Sequence, residues 1–125
     1  MADAAENLNV LAKEVFGDSV SVTDKLSEGI EGADVVMCLR MQIERQDKFF
    51  VPTLEDYTRR FCVTESLLKG VAPNSVVLHP GPMNRGIEIS SDVADGPRSL
   101  IGSQVNLGVA VRMAVLFKVG RGKID

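Results

Sequence analysis

Two short apolar runs, Val35-Val-Met-Cys-Leu39 and Ser75-Val-Val-Leu78, constrain this chain more than any other feature. Neither alternates polar with apolar residues, as a half-exposed strand would. An unbroken run of this length reads as a strand buried on both faces, the habit of parallel sheets covered by helices. Helical grammar surrounds both runs. Leu8, Leu11 and Val15 form one apolar stripe, with Glu6, Lys13 and Glu14 off it, and Gly17 stands where a C-cap glycine belongs. Thr23 can cap a helix carrying Leu26 and Ile30, which Gly32 stops. Pro52-Thr53-Leu-Glu-Asp56 places a cap before acids in a first turn, Thr64 starts another short helix, and Pro73-Asn74 makes a turn. The longest helix is expected from Ser99 to Val119, a length of roughly 30 Å, with Gly120 closing it.

Strands alternating with helices predict an α/β fold. The expected form is a partial Rossmann-like, doubly wound parallel sheet of about three strands, with flanking helices and a long C-terminal helix. Val20-Ser-Val22 is the third strand candidate. No repeat or low-complexity linker divides the chain, so residues 1–125 are read as one domain. A three-stranded sheet is small for this architecture, and the first strong strand follows a helix. The sheet is therefore expected to begin upstream.

Composition removes several function classes. No unbroken apolar run is longer than Val35 to Leu39, whereas a membrane-spanning helix needs about 20 residues. Met1-Ala-Asp3 lacks the basic start and apolar core of a secretory signal. Cys38, Cys62 and the single histidine, His79, are too few for a disulfide framework or a protein-only zinc site. The expected setting is reduced and cytoplasmic, with no metal. The net charge of −3 hides an asymmetry: residues 1–34 carry eight acids against Lys13 and Lys25, and the remainder is mildly basic. That excess is too weak for a nucleic-acid footprint, but it suits a small anionic ligand.

The chemistry gathers where the strands end, the place where open α/β sheets bind ligands. The first run continues into Arg40-Met-Gln42-Ile-Glu44-Arg45. On extended backbone Arg40, Gln42 and Glu44 share a face. Arg40 offers a fork for a carboxylate, Gln42 a donor and an acceptor, and Glu44 a brace for the guanidinium. A surface salt-bridge cluster would use the same residues. The second run ends in His79-Pro80-Gly81-Pro82-Met83-Asn84-Arg85-Gly86. Its prolines remove backbone donors and leave carbonyls, and its glycine lets a ligand approach the main chain. The same residues would also make a rigid turn with a cis Gly81-Pro82 bond, His79 being either its hydrogen-bonded anchor or a base. Asp95-Gly96-Pro97-Arg98 reads as a loop, and Met37, Met41, Met83 and Met113 as packing. Arg112, inside an apolar helix, either snorkels to water or pairs with a buried acid such as Glu88.

Taken in order, Leu39-Arg-Met-Gln-Ile-Glu-Arg45, His79-Pro-Gly-Pro-Met-Asn-Arg-Gly86 and Gly108-Val-Ala-Val-Arg-Met-Ala114 resemble the aspartate carbamoyltransferase family. The resemblance covers nearly the whole chain, but only the C-terminal, aspartate-binding part of the family's catalytic subunit. It implies transfer of the carbamoyl group of carbamoyl phosphate to L-aspartate, giving N-carbamoyl-L-aspartate and phosphate, in pyrimidine (UMP) synthesis. No cofactor or metal takes part. By resemblance Arg40 and Gln42 bind the aspartate carboxylates, and Glu44 and Glu88 orient Arg40. The backbone of Pro80, Gly81 and Pro82 touches the carbamoyl group and the incoming amine, with Gly81-Pro82 cis and His79 supporting the corner. Arg112 matches a structural arginine of the last helix, and no residue of this segment receives a catalytic role. Amine attack on a carbonyl depends more on positioning and charge stabilisation than on a strong base, so such a residue set is chemically reasonable.

The departures shape the expectation further. The family's phosphate-anchoring Ser-Thr-Arg-Thr loop has no counterpart here, and the first β-α-β segment of the aspartate domain is also unmatched. The implied partners are a carbamoyl-phosphate domain of the same family and further copies of the chain, a trimer in the full-length enzymes. The segment is expected to bind aspartate weakly and not to turn over alone. Two other readings use the same residues. An ornithine-type carbamoyltransferase conflicts with Arg40 beside a cationic substrate. A non-catalytic homologue, acting as a scaffold or regulatory partner, accords with the missing phosphate site.

Overall fold

The structure is a computed structural model that describes residues 2–42 and 53–120. In chain order the elements are α1 (Ala2–Phe16), α2 (Leu26–Gly29), β1 (Val35–Met37), α3 (Leu54–Phe61), α4 (Glu65–Val71), β2 (Val76–Leu78), α5 (Ser91–Ala94) and α6 (Ile101–Gly120). A 3-10 turn, Gly17–Ser19, follows α1. β1 and β2 are parallel neighbours, with Val35 opposite Val76, Val36 opposite Val77 and Met37 opposite Leu78. The fold is α/β, as expected from the alternation of runs and helices.

Side-chain chemistry sets the starts of α3 and α4 where the sequence places them; α2 instead starts after Lys25 with no side-chain cap, because the Thr23 hydroxyl accepts the Lys25 N–H, and Ile30 lies just past its end. Thr53 Oγ1 accepts the N–H of Asp56 at 3.0 Å, and Thr64 Oγ1 accepts that of Leu67 at 3.2 Å. Each hydroxyl satisfies an amide that the first turn leaves without a partner. Thr64→Ala is expected to cost about 1 kcal/mol of stability, read as a lower urea midpoint at unchanged slope.

The core lies on one face of the sheet. Val36 and Val77, opposite each other in register, pack with Leu68 and Ala72 of α4, Val93 and Ala94 of α5, Ile89, and Ile101 at the start of α6. Backbone bonds tie this layer together. Val63 donates to the Glu88 carbonyl and Ser90 returns a bond to Val63, each at 3.0 Å. Val77 accepts from Leu100 and donates to Arg98. The Arg98 side chain bonds Glu65 Oε1 at 3.3 Å and also the Pro73 carbonyl, which links the approach to α6 with α4.

Three expectations are corrected. β1 is buried on one face only: Val36 is 5% exposed, but Val35, Met37 and Leu39 are exposed on the other side, because no described element covers that face. Val20-Ser-Val22 forms no strand, since the N–H and carbonyl of Val22 are both bonded by the Asn9 side chain instead of a neighbouring strand. The described sheet thus has two strands, and its third member is a single parallel bridge from Ser99 to Val77.

The end helices leave most of their described large apolar side chains exposed. α1 forms as predicted and stops at Gly17, yet its stripe of Leu8, Leu11 and Val15 is exposed. α6 buries only Ile101, while large apolar residues from Val105 to Val119 remain exposed all round it. A helix apolar on every side belongs in an interior. Among the described residues, no helix is long and apolar enough to cross a membrane.

Candidate functional site

Parallel pairing brings the carboxyl ends of β1 and β2 to the same edge of the sheet. Beyond the last paired residues, Cys38 donates its N–H to the Leu78 carbonyl at 2.9 Å. His79 therefore leaves one strand beside the point where Leu39 and Arg40 leave the other. The two polar sequences are joined again further out, where Asn84 Nδ2 donates to the Met41 carbonyl at 3.0 Å. Met41 sits between Arg40, which is half-buried, and Gln42, which is exposed. The candidate anion-binding side chains and the proline corner thus share one edge. Glu44, the proposed brace for Arg40, lies outside the described residues.

The corner itself has an unusual backbone. The Gly81-Pro82 peptide is cis, as the family resemblance implied, and Gly81 has a φ of +65°. That left-handed conformation favours glycine, and a Cβ there would lie 3.7 Å from Val105 of α6. The helix anchors the strand end directly, because Gln104 Oε1 accepts the His79 N–H at 2.8 Å.

Under the corner lies a buried polar chain. His79 is 0% and Glu88 3% exposed. Gly81 donates its N–H to His79 Nδ1 at 2.9 Å, and His79 Nε2 lies 3.2 Å from Glu88 Oε1. The same Glu88 oxygen accepts the Asn84 N–H at 2.6 Å. Among the described residues Glu88 Oε2 has no hydrogen-bond partner, although the residue is deeply buried. Glu88 also lines a cavity of about 280 Å³ with Cys38, Tyr57 and a set of aliphatic side chains. The carboxylate acts on its neighbours: burial first, then the charge of Glu88, pushes the Cys38 thiol up to about 11. The same two causes raise Tyr57 and Cys62. These thiols and the phenol therefore stay protonated near neutral pH and are poor nucleophiles.

The remaining candidates separate. Arg112 is exposed on α6, with its guanidinium against Gly108, and the hydrogen bonds of Glu88 run to His79 and Asn84. Of the two readings of Arg112, the structure takes the solvated one. Arg85 leaves the motif sideways and grips Asp95 with two bonds, 2.6 and 2.9 Å, bracing the loop after α5. Its guanidinium holds the Asp95 carboxyl below the usual range. No group of three or more metal-ligating side chains exists among the described residues.

Two participants carried no role in the sequence reading, Asn84 and Gln104. Gln104 had a visible signal, a lone amide near the start of an apolar helix. Asn84 sits inside the quoted motif, but its reach across to Met41 is a tertiary fact.

Comparison with known proteins bears on the family and the fold. The family model for the aspartate/ornithine carbamoyltransferase Asp/Orn-binding domain matches residues 1–119. The aspartate carbamoyltransferase catalytic subunit of Nitratidesulfovibrio vulgaris is 53% identical over 98 residues, covering 78% of this chain and 30% of that protein. That of Xanthobacter autotrophicus is 53% identical over 102 residues, covering 82% of this chain and 32% of its own length. Among solved structures, an aspartate transcarbamoylase from Trypanosoma cruzi in complex with phosphate superposes with a TM-score of 0.65 at 26% identity, over 93% of this chain and 36% of that one. Ornithine carbamoyltransferase from Thermus thermophilus gives 0.67 at 27% identity, over 87% and 34%. The chain spans about a third of the length of the curated relatives it matches.

Proposed function

The chain belongs to the aspartate/ornithine carbamoyltransferase family, matching its Asp/Orn-binding domain, and from that premise we propose that it is the amino-acid-binding part of an aspartate carbamoyltransferase. The reaction is carbamoyl transfer from carbamoyl phosphate to L-aspartate, yielding N-carbamoyl-L-aspartate and phosphate for pyrimidine synthesis in the cytoplasm. Arg40 and Gln42 hold the carboxylates, with Glu44 bracing Arg40. The carbonyls around Pro80, Gly81 and Pro82 receive the N–H groups of the reacting amine and carbamoyl group. Oε2 of Glu88, which has no hydrogen-bond partner among the described residues, is the oxygen left to support Arg40. Arg112 serves the helix and not the pocket.

The observation that carries the reading is the shared sheet edge: the Asn84–Met41 bond holds the cationic arm beside the proline corner. A dicarboxylic amino acid presents a matching set of groups, two anionic ends and one N–H-bearing centre. Aspartate is favoured over ornithine because ornithine would place a second cation near Arg40. The test is differential: L-aspartate is expected to raise the melting temperature of the chain at millimolar concentration, and ornithine to leave it unchanged. Stabilisation by ornithine alone would overturn the choice of substrate.

Residues 1–125 form one domain of a larger active unit, and the carbamoyl-phosphate domain is its partner. The exposed apolar surfaces of α1 and α6 and the open face of β1 support this, since isolated proteins rarely leave such area to water. Further copies of the chain complete the oligomer. The chain alone is expected to show no carbamoyl transfer, and activity is expected on adding a carbamoyl-phosphate domain of the family. Turnover by the chain alone would refute the division of labour.

A further inference from the structure

We propose that His79 is a positioning residue: its ring turns the Pro80-Gly81-Pro82 corner into a surface of hydrogen-bond acceptors only, so that the corner selects the N–H-bearing group of the ligand. The inference deepens the carbamoyl-transfer reading and rests on it.

The argument follows each backbone donor in turn. Pro80 and Pro82 have no N–H. The N–H of His79 points inward to Gln104 Oε1 at 2.8 Å. Gly81 carries the last donor of the corner, and it too points inward, to His79 Nδ1 at 2.9 Å. By contrast, no hydrogen bond ends on the carbonyls of Pro80 or Gly81 among the described residues. A ligand reaching this corner therefore meets acceptors and no main-chain donor. An ammonium, amine or carboxamide N–H is welcomed, and a carboxylate is turned away toward Arg40 and Gln42.

The polarity depends on which ring nitrogen carries the proton. Nδ1 accepts from Gly81, so it must be bare, and the ring proton sits on Nε2, facing Glu88 Oε1 at 3.2 Å. In the opposite tautomer two donors, Nδ1–H and the Gly81 N–H, would face each other. The glycine amide would then be forced out toward the ligand. Glu88 fixes the choice, because its Oε1 is an acceptor already held in place by the Asn84 N–H at 2.6 Å. The pair is sealed from solvent, with His79 0% and Glu88 3% exposed. Water therefore offers no alternative partner to either ring nitrogen.

A single histidine makes the test direct. In the nitrogen-15 labelled chain, prepared without a histidine tag, Nδ1 is expected to resonate as the unprotonated ring nitrogen and Nε2 as the protonated one. A proton on Nδ1 would overturn the proposal. The second arm compares L-aspartate with succinate, which keeps both carboxylates but lacks the amine, in titrations of three forms of the chain. The native chain is expected to prefer aspartate. His79→Leu should cut that preference roughly tenfold through aspartate alone, the worth of one hydrogen bond to a charged group. His79→Gln, which keeps one donor for Glu88 and one acceptor for Gly81, should restore most of it. An unchanged aspartate-to-succinate ratio in His79→Leu contradicts the proposal. If His79→Leu does not fold, the ring nitrogens of the native chain and the ratio in His79→Gln still decide. Failure of both dicarboxylates to bind native chain defeats the functional reading and the amine-selecting role with it, whereas the protonation pattern of the ring is measured independently of any ligand.

Discussion

Replacing Arg40 by alanine is expected to weaken L-aspartate binding by roughly ten- to a hundredfold. Its guanidinium is a rigid fork that matches a carboxylate, and hydrogen bonds to charged groups are worth about 1.5–3 kcal/mol each. At about 1.4 kcal/mol per factor of ten, the loss of one such contact accounts for the expected range. Succinate should suffer equally, because the lost interaction concerns a carboxylate and not the amine. Arg40→Lys should recover part of the affinity, since an ammonium keeps the charge but not the planar fork. Far-UV circular dichroism should not change, as Arg40 lies outside the buried cluster. The contrast with His79→Leu is informative: one variant weakens both ligands, the other only the ligand with an amine. Equal aspartate affinity in Arg40→Ala and the native chain would remove Arg40 from the site.

Leu68→Ala is expected to cost about 2–5 kcal/mol, the usual range for emptying a large aliphatic site. Leu68 is 0% exposed and lies in the cluster with Val36 and Val77, beneath both strands. Among the described residues few large side chains are fully buried, so little surrounding mass is free to collapse into the gap. A small domain is stable by only about 5–15 kcal/mol, and this one is further burdened by uncovered apolar surface. Urea unfolding should therefore show a midpoint shifted by a large fraction of the native value. A loss under about 1 kcal/mol would mean that the strands do not rest on α4 as described.

Much of the local structure was legible before any coordinates. Thr53 and Thr64 cap α3 and α4 because a hydroxyl before acids or leucines has one good use there, accepting an amide of the first turn. Gly17 and Gly32 mark chain reversals because both have a positive φ. The parallel neighbours were legible from two unbroken apolar runs, and the strand ends from the polar residues that stop them. What stayed hidden is tertiary. Val35, Met37 and Leu39 look as core-like as Val36, yet no described element covers their face, and no local pattern records whether a cover is present. Val22 has the residue type of a strand, but Asn9 satisfies its backbone from another element. The chain from Gly81 through His79 to Glu88 was also out of reach: a histidine and a glutamate nine positions apart reveal a bond only once the turn between them is known.

The central claim is that the arm carrying Arg40 and Gln42 and the corner at Pro80-Gly81-Pro82 form one pocket for a dicarboxylic amino acid. Its most direct test is a titration of the nitrogen-15 labelled chain with L-aspartate, following the Gln42 side-chain amide together with the backbone amides of Gly81 and Asn84. All three are predicted to shift along one saturation curve with a single dissociation constant, and ornithine to move none of them. Shifts at one strand end only, or two curves with different constants, would contradict the claim.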